Sequence, residues 1–314
     1  MAAAPDKGPA LIGSQPPARD LLGVEVTLRL GFRQPLCPDN LFGHLAATAV
    51  PGVEEWLAGS YRRTVRLPHG PGVLSLRPDR DHVAARLTLT DARDEAVAVR
   101  IIRRLLDLDV DPEAVDGVLS GDPTLAPLIA AAPGRRVPGT VDAHELAVRA
   151  VLGQQVSTAA ARTHASRLVL AHGERITDTV GGLTHLFPTA EALTTLDPAA
   201  LALPMARRAT LLGLVRALAD GAVDLTDAAL ARRQLGALPG IGPWTVETIA
   251  MRALGDADAF LPTDLGVRAA AARLGLPTSP GRLTQHAERW RPWRAYAVQH
   301  LWATGDHPVN RLPA

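Results

Sequence analysis

Leu235-Gly-Ala-Leu-Pro-Gly-Ile-Gly-Pro-Trp-Thr-Val-Glu-Thr-Ile-Ala250, followed at 260–267 by Phe-Leu-Pro-Thr-Asp-Leu-Gly-Val, is the stretch whose reading decides the fold. Leu238-Pro-Gly-Ile-Gly242 predicts a tight turn between two helices. Gly240 and Gly242 leave the backbone bare there and can take positive φ. Pro243 suits the first turn of the next helix, where its missing N–H costs nothing. Val246, Ile249, Ala250 and Ala253 then keep one helix face apolar. Bare N–H groups at such a helix start form an anion site, for which a nucleic-acid phosphate is the natural ligand. An ordinary glycine-closed turn gives the same pattern. Twenty positions after Trp244 stands Asp264. On the residues alone, Thr263 or Asp264 is an N-cap for an apolar helix that starts at Leu265.

The chain has 314 residues, enough for a large core and about two domains. Hydrophobic residues make up 47% and charged residues 21%, the balance of a folded soluble protein. Net charge is +1, so any nucleic-acid surface must be a local patch. Cys37 is the one cysteine, which excludes a disulfide framework, a cysteine zinc site and a cysteine-ligated iron–sulfur cluster. That cysteine usage fits a reducing cytoplasm. No apolar run reaches the ~20 residues of a membrane span, and no secretory signal pattern opens the chain.

Residues 1–20, rich in proline and scattered charge, read as a disordered leader. Alternation from Leu22 to Leu30, and again at Tyr61–Leu67, Gly72–Leu76 and Val83–Leu89, predicts half-buried strands. Helices are expected at Asn40–Ala49 and Asp94–Leu106. Residues 21–132 therefore read as an antiparallel α+β domain, closed by Ala132-Pro-Gly-Arg-Arg-Val-Pro-Gly139. Everything beyond, 133–314, reads as helix, in one body or two helical lobes around a cleft. Asp142 caps Ala143–Leu152, Ser157 caps a helix reaching about Ala171, and more follow at 189–195, 197–202, 206–220, 227–236, 243–254, 265–274, 280–289 and 293–303. The fold class is thus α+β.

Across about 22–306 the sequence resembles the 3-methyladenine DNA glycosylase II family, a branch of the helix-hairpin-helix DNA glycosylases. The matching stretches are Leu30-Gly-Phe32, Val141-Asp-Ala, Val148-Arg-Ala-Val-Leu-Gly-Gln-Gln-Val-Ser157, Leu238–Trp244, Phe260–Asp264 and Ala287-Glu-Arg-Trp-Arg-Pro-Trp-Arg-Ala-Tyr-Ala297. Some members carry a fused methyl-transfer module with zinc and nucleophilic cysteines, which Cys37 alone cannot supply.

The resemblance implies a monofunctional enzyme of base-excision repair that flips alkylated purines out of double-stranded DNA and hydrolyses their glycosidic bond. It assigns Asp264 as the catalytic carboxylate. It places Trp244, Phe32, Trp302, Leu265 and Thr248 at base-pocket positions, the last two where relatives carry tyrosine. Gly240, Ile241, Gly242 and Thr245 would meet the DNA backbone, and Gln155 would fill the space of the flipped base. Backbone carbonyls of Gly236, Leu238 and Ile241 would hold a monovalent cation, and catalysis would need no cofactor. The implied partner is duplex DNA, with the chain a monomer in the cytoplasm, held near the nucleoid by that binding. Read physically, Trp244 is either a stacking face for an electron-poor base or packed core, and Gln155 is either a wedge or a solvated turn residue. Trp290 and Trp293 read as helix packing. Two other functions stay open. A non-catalytic DNA clamp would need neither Asp264 nor the aromatic positions. A glycosylase/lyase would need a lysine where Trp244 stands, since indole cannot form a Schiff base.

Overall fold

The computed structural model describes Arg19, Asp20 and residues 23–314. The expected leader lies outside the described residues except for Arg19–Asp20, which form a short strand, β1. Then follow β2 (Val24–Gly31), α1 (Pro38–Ala47), β3 (Glu54–Leu57), β4 (Ser60–Leu67), β5 (Gly70–Pro78), β6 (His82–Leu89) and α2 (Glu95–Leu105). Next come α3 (Pro112–Leu119), α4 (Ala126–Ala131), α5 (Ala143–Leu152), α6 (Thr158–His172), β7 (Ile176–Thr177), α7 (Ala190–Leu193) and α8 (Met205–Ala219). The hairpin region contributes α9 (Ala228–Gly236), α10 (Pro243–Ala253), α11 (Leu265–Arg273), α12 (Pro280–His286) and α13 (Arg294–Ala303). Two expectations need correction. Residues 197–202 form only a 3-10 turn at Pro198–Ala200, and the region after 139 is not wholly helical, because β7 pairs in parallel with β1.

Five strands make one antiparallel sheet in the order β2-β6-β5-β4-β3. Val24 pairs with Leu89, Gly72 with Leu89, Tyr61 with Leu76, and Glu54 with Arg63. Leu74, Leu76, Leu87 and Leu89 build its core beneath α1 and α2. A second apolar cluster joins α5, α6, α8, α9 and α10, with Val50 and Val53 reaching into it. A third joins Val115, Leu119, Leu125 and Ile129 to Phe260, Trp290 and Leu301, so packing runs across the 132/133 boundary.

Buried charge ties the sheet to the helices. Glu54 accepts from Arg63 Nη1 at 3.2 Å, Arg149 Nη1 at 2.9 Å and the Tyr61 hydroxyl at 2.5 Å. Glu145 on α5 accepts from Arg63 at 2.8 Å and Arg149 at 2.8 Å. Burial pushes the Glu54 carboxyl pKa up, but Arg149 and Arg63 outweigh it and hold the value at about 2. On the far side, the 3-10 turn Pro308–Asn310 covers α1. A Cβ on Gly43 would collide with the Arg311 carbonyl. Asn310 Nδ2 donates to the carbonyls of Trp302 and Gly305 at 3.0 Å each, fixing this turn to the end of α13.

Asp107, in the turn after α2, accepts from the Tyr296 hydroxyl at 2.8 Å and from Val137 N–H at 3.3 Å. Burial raises its pKa from 3.8 to about 6, against the pull of those bonds. Between those values the folded chain holds a proton that the unfolded chain has released. This group's contribution to stability therefore falls as pH rises through the window. Asp107→Asn is expected to remove about 1–2 kcal/mol of that fall. Urea unfolding of both proteins at about pH 4 and 7 measures it, and equal pH slopes would refute it.

Candidate active site

Gly242 is the N-cap of α10 and Pro243 its first residue, which sets Trp244 on the first turn. Asp264 is the N-cap of α11, with φ −64° and ψ 134°, and its Oδ1 accepts from Val267 N–H at 2.9 Å. The same carboxylate receives two indoles. Trp244 Nε1 donates to Oδ2 at 2.9 Å, and Trp302 Nε1, from α13, donates to Oδ1 at 2.8 Å. Close approach of α13 depends on Gly266, where a Cβ would stand 3.0 Å from Trp302 Cδ1. Three N–H donors from three helices thus hold one carboxylate in a single orientation.

Trp244 and Trp302 also line a cleft of about 290 Å³ between α1, α5, α6 and α10. Thr248 lies one turn beyond Trp244 in the same wall, with its hydroxyl donated to the Trp244 carbonyl at 2.7 Å. His44, Thr48, Arg149, Thr158, Arg162 and Arg252 complete the polar lining. Arg149 Nη2 donates to the Thr48 carbonyl at 2.8 Å and Arg162 Nε to the Ala49 carbonyl at 2.7 Å, so both pin the end of α1. Arg252 Nε donates to the Pro138 carbonyl at 2.9 Å. Burial, then the neighbouring charge of Arg149, lowers the Arg252 pKa to about 10.

The hairpin itself carries free donors. Gly240 has φ +81°, and a Cβ there would collide with Thr210 Oγ1. Gly242 has an ordinary extended backbone and open space where its Cβ would be. Neither glycine N–H donates to a partner among the described residues. Ile241 is buried in the helical core, so only its backbone can face a ligand. Thr245 is also buried, and its hydroxyl accepts from Gln154 Nε2 at 3.0 Å, which removes its side chain from the set expected to reach a phosphate. Gln154 Nε2 reaches the Gly240 carbonyl at 3.2 Å as well, binding the α5–α6 turn to the hairpin. At the tip of that turn Gln155 is exposed with φ +54°.

Two expected pocket residues lie elsewhere. Phe32 follows β2 and packs against the sheet core, because a ring at the end of that strand is drawn to the apolar layer beside it. Leu265 is 79% exposed at the start of α11 and does not line the cleft. His44 and Thr48 of α1 line the cleft instead. Their sequence signal is polar residues in step with Leu41 and Leu45 on the buried side of α1. Of the carbonyls named for a cation, that of Leu238 accepts from Ile241 N–H at 3.1 Å, which leaves its second lone pair. Among the described residues no group of three or more His, Cys, Asp or Glu could hold a metal, and no helix is long and apolar enough to cross a membrane.

The AlkA N-terminal domain model matches residues 27–142. DNA-3-methyladenine glycosylase 2 of Escherichia coli (strain K12) is 35% identical over 88% of this chain and 96% of that protein. The chain belongs to the DNA-3-methyladenine glycosylase 2 family. A relative in Mycobacterium tuberculosis, named a probable bifunctional transcriptional activator/DNA repair enzyme AlkA, is 56% identical over 92% of this chain. This chain spans only 59% of that protein's length. The 3-methyladenine DNA-glycosylase from Archaeoglobus fulgidus superposes with a TM-score of 0.76 at 21% identity, over 88% of this chain and 97% of its own. That likeness shows the shared helix-hairpin-helix fold and accords with the α+β expectation.

In this family member the indole–carboxylate bond can be weighed directly. A double-mutant cycle on Trp302→Phe and Asp264→Ala should give a coupling of about 1–3 kcal/mol, the worth of a hydrogen bond to a charged group. Denaturant unfolding of the four proteins measures it. Additive losses would show that the bond contributes nothing.

Proposed function

We propose that this chain is a monofunctional DNA glycosylase that hydrolyses the N-glycosidic bond of alkylated purines, of the 3-methyladenine and 7-methylguanine type, in duplex DNA. One observation carries the reading: the two indoles that line a single cleft both donate to Asp264. N-alkylation makes a purine cationic and a good leaving group, so the enzyme need not protonate it. The C–N bond breaks with its electron pair leaving on the base, and the sugar develops oxocarbenium character. A fixed carboxylate stabilises that charge. Water adds to the anomeric carbon and gives up its proton, leaving an abasic site. Water, a carboxylate and the leaving group suffice, without a cofactor.

The base must leave the helical stack to reach the cleft. Gly240 and Gly242 N–H groups suit a backbone phosphate, and Gln155 at its exposed tip suits the vacated space. Neutral carbonyls of Gly236, Leu238 and Ile241 would suit a monovalent cation, which would hold the hairpin's shape. A lyase mechanism would need a lysine where Trp244 stands, and indole cannot form a Schiff base. The reading makes the chain a monomer acting on cytoplasmic DNA.

Asp264→Asn is expected to lower base release by about 10²–10³ while duplex affinity stays within about twofold. Single-turnover excision on methylated DNA tests it, and near-native rates would refute the assignment. Gly242→Val adds a methyl-bearing carbon where the free protein has open space. It should cost no more than about 1 kcal/mol of stability yet weaken duplex binding about tenfold or more. Gly240→Val should instead destabilise the fold, since its φ is positive. Unchanged duplex affinity of Gly242→Val across a salt series would make the hairpin purely structural.

A further inference from the structure

The five-stranded sheet has a second face. Leu74, Leu76, Leu87 and Leu89 point toward α1 and α2, so their neighbours along each strand point the other way. Register sets those neighbours in rows. Thr27, Arg86, Ser75, Arg62 and Glu55 stand side by side across β2, β6, β5, β4 and β3. In the next row Ala84 lies between Arg29 and Arg77. Arg77 and Arg86 are therefore diagonal neighbours, about 7–8 Å apart. Both are exposed, and neither has a side-chain hydrogen-bond or ion-pair partner among the described residues. Glu25, diagonal to Arg86 on β2, makes no ion pair with it. The small Ser75 and Ala84 leave a groove of about 360 Å³ here, which the exposed Leu57 and Val180 also line.

The chain itself shows what seats on this face. Beside Arg62, in the loop after β7, Asp178 accepts from Nη1 at 2.9 Å and from Nη2 at 2.8 Å. The same carboxylate accepts from Val180 N–H at 3.2 Å and Gly181 N–H at 3.0 Å, which holds Val180 at the groove. Gly182 N–H adds a bond to Glu55 Oε2 at 2.9 Å. An acid on an arginine, with an apolar residue two positions on, thus covers one side of the face. Arg86 stands in the row of Arg62, two strands away, about 10 Å at the usual strand spacing. It offers the same fork and meets no carboxylate.

We propose that this face docks an extended segment of a second protein in which acidic and apolar residues alternate. Its carboxylates bind Arg77 and Arg86, and its apolar side chains pack on Leu57 and Val180. Charge complementarity decides the occupant. Two guanidinium groups set diagonally repel, and carboxylates relieve that repulsion while gaining bidentate bonds. A nucleic-acid strand fits less well. Trp56 and Tyr61 fall on the opposite face, so bases find no ring to stack on, and Leu57 and Val180 offer nothing to a phosphate. The chain's own residues 1–18 carry a single acid, Asp6. α1 packs on the other face of the sheet and itself lines the cleft, so a partner held here leaves the cleft open.

The test titrates the full chain into a fluorescein-labelled octapeptide of alternating aspartate and leucine, read by anisotropy at about 50 mM salt. Saturation with a Kd below about 1 mM is expected. Asparagine in place of aspartate, or serine in place of leucine, should each weaken the peptide about tenfold. Arg77→Ala/Arg86→Ala should weaken binding about tenfold or more, and Val180→Ser about threefold, with wild-type thermal midpoints and duplex affinity. No saturation by about 1 mM would overturn the proposal. So would equal affinity for either control peptide on wild type, or unchanged affinity of either variant. A fall in duplex affinity of the double variant would also overturn it, making the face a nucleic-acid surface.

Discussion

One carboxylate organises the helical half of this protein. Asp264 Oδ1 caps α11 and accepts from Trp302, while Oδ2 accepts from Trp244. Capping therefore does not compete with the proposed chemistry for this residue. The cap fixes the backbone and the indoles fix the side chain, and a carboxylate fixed in both senses would need little reorganisation in the proposed reaction. α10, α11 and α13 converge because each supplies one donor to the same group. Gly266 permits the convergence by leaving room for the Trp302 ring.

The sheet contributes to this centre at a distance. Its edge strand β3 and neighbour β4 supply Glu54 and Arg63, which lock onto Glu145 and Arg149 of α5. Arg149 then grips the end of α1, whose His44 and Thr48 line the same cleft as Trp244. Removing one member of such a buried set leaves an uncompensated charge, which costs far more than a surface pair. The antiparallel layer thus sets where the cleft wall stands, and the helices supply the carboxylate held by the two indoles.

Much of this was legible in the chain because caps and turns are local. Asp142, Ser157 and Asp264 each cap the helix that their position implies, and Pro243 opens α10. Strands with clean alternation, such as Val83–Leu89, were equally plain. Elements whose stability comes from partners were not. β3 reads Glu-Glu-Trp-Leu, a poor strand by propensity, and exists through pairing with β4 and the burial of Glu54. α3 and α4 are short and owe their place to packing against Trp290 and the hairpin helices. Within the site, Asp264 is legible as a helix cap, whereas its company with Trp244 and Trp302 was implied only by the family resemblance. The place of His44 in the cleft lining was not legible, because it depends on how α1 packs against the helical half.

The covering of α1 by Pro308–Asn310 has a consequence for biosynthesis. The wall that carries His44 belongs to an early helix, yet the turn that seats it, tied to Trp302 through Asn310, is made more than 260 residues later. A chain still emerging from the ribosome can therefore pair its sheet long before it can close the cleft. The order of translation lets the cleft close only after Pro308–Asn310 has been made, so an N-terminal layer waits for its distant counterpart.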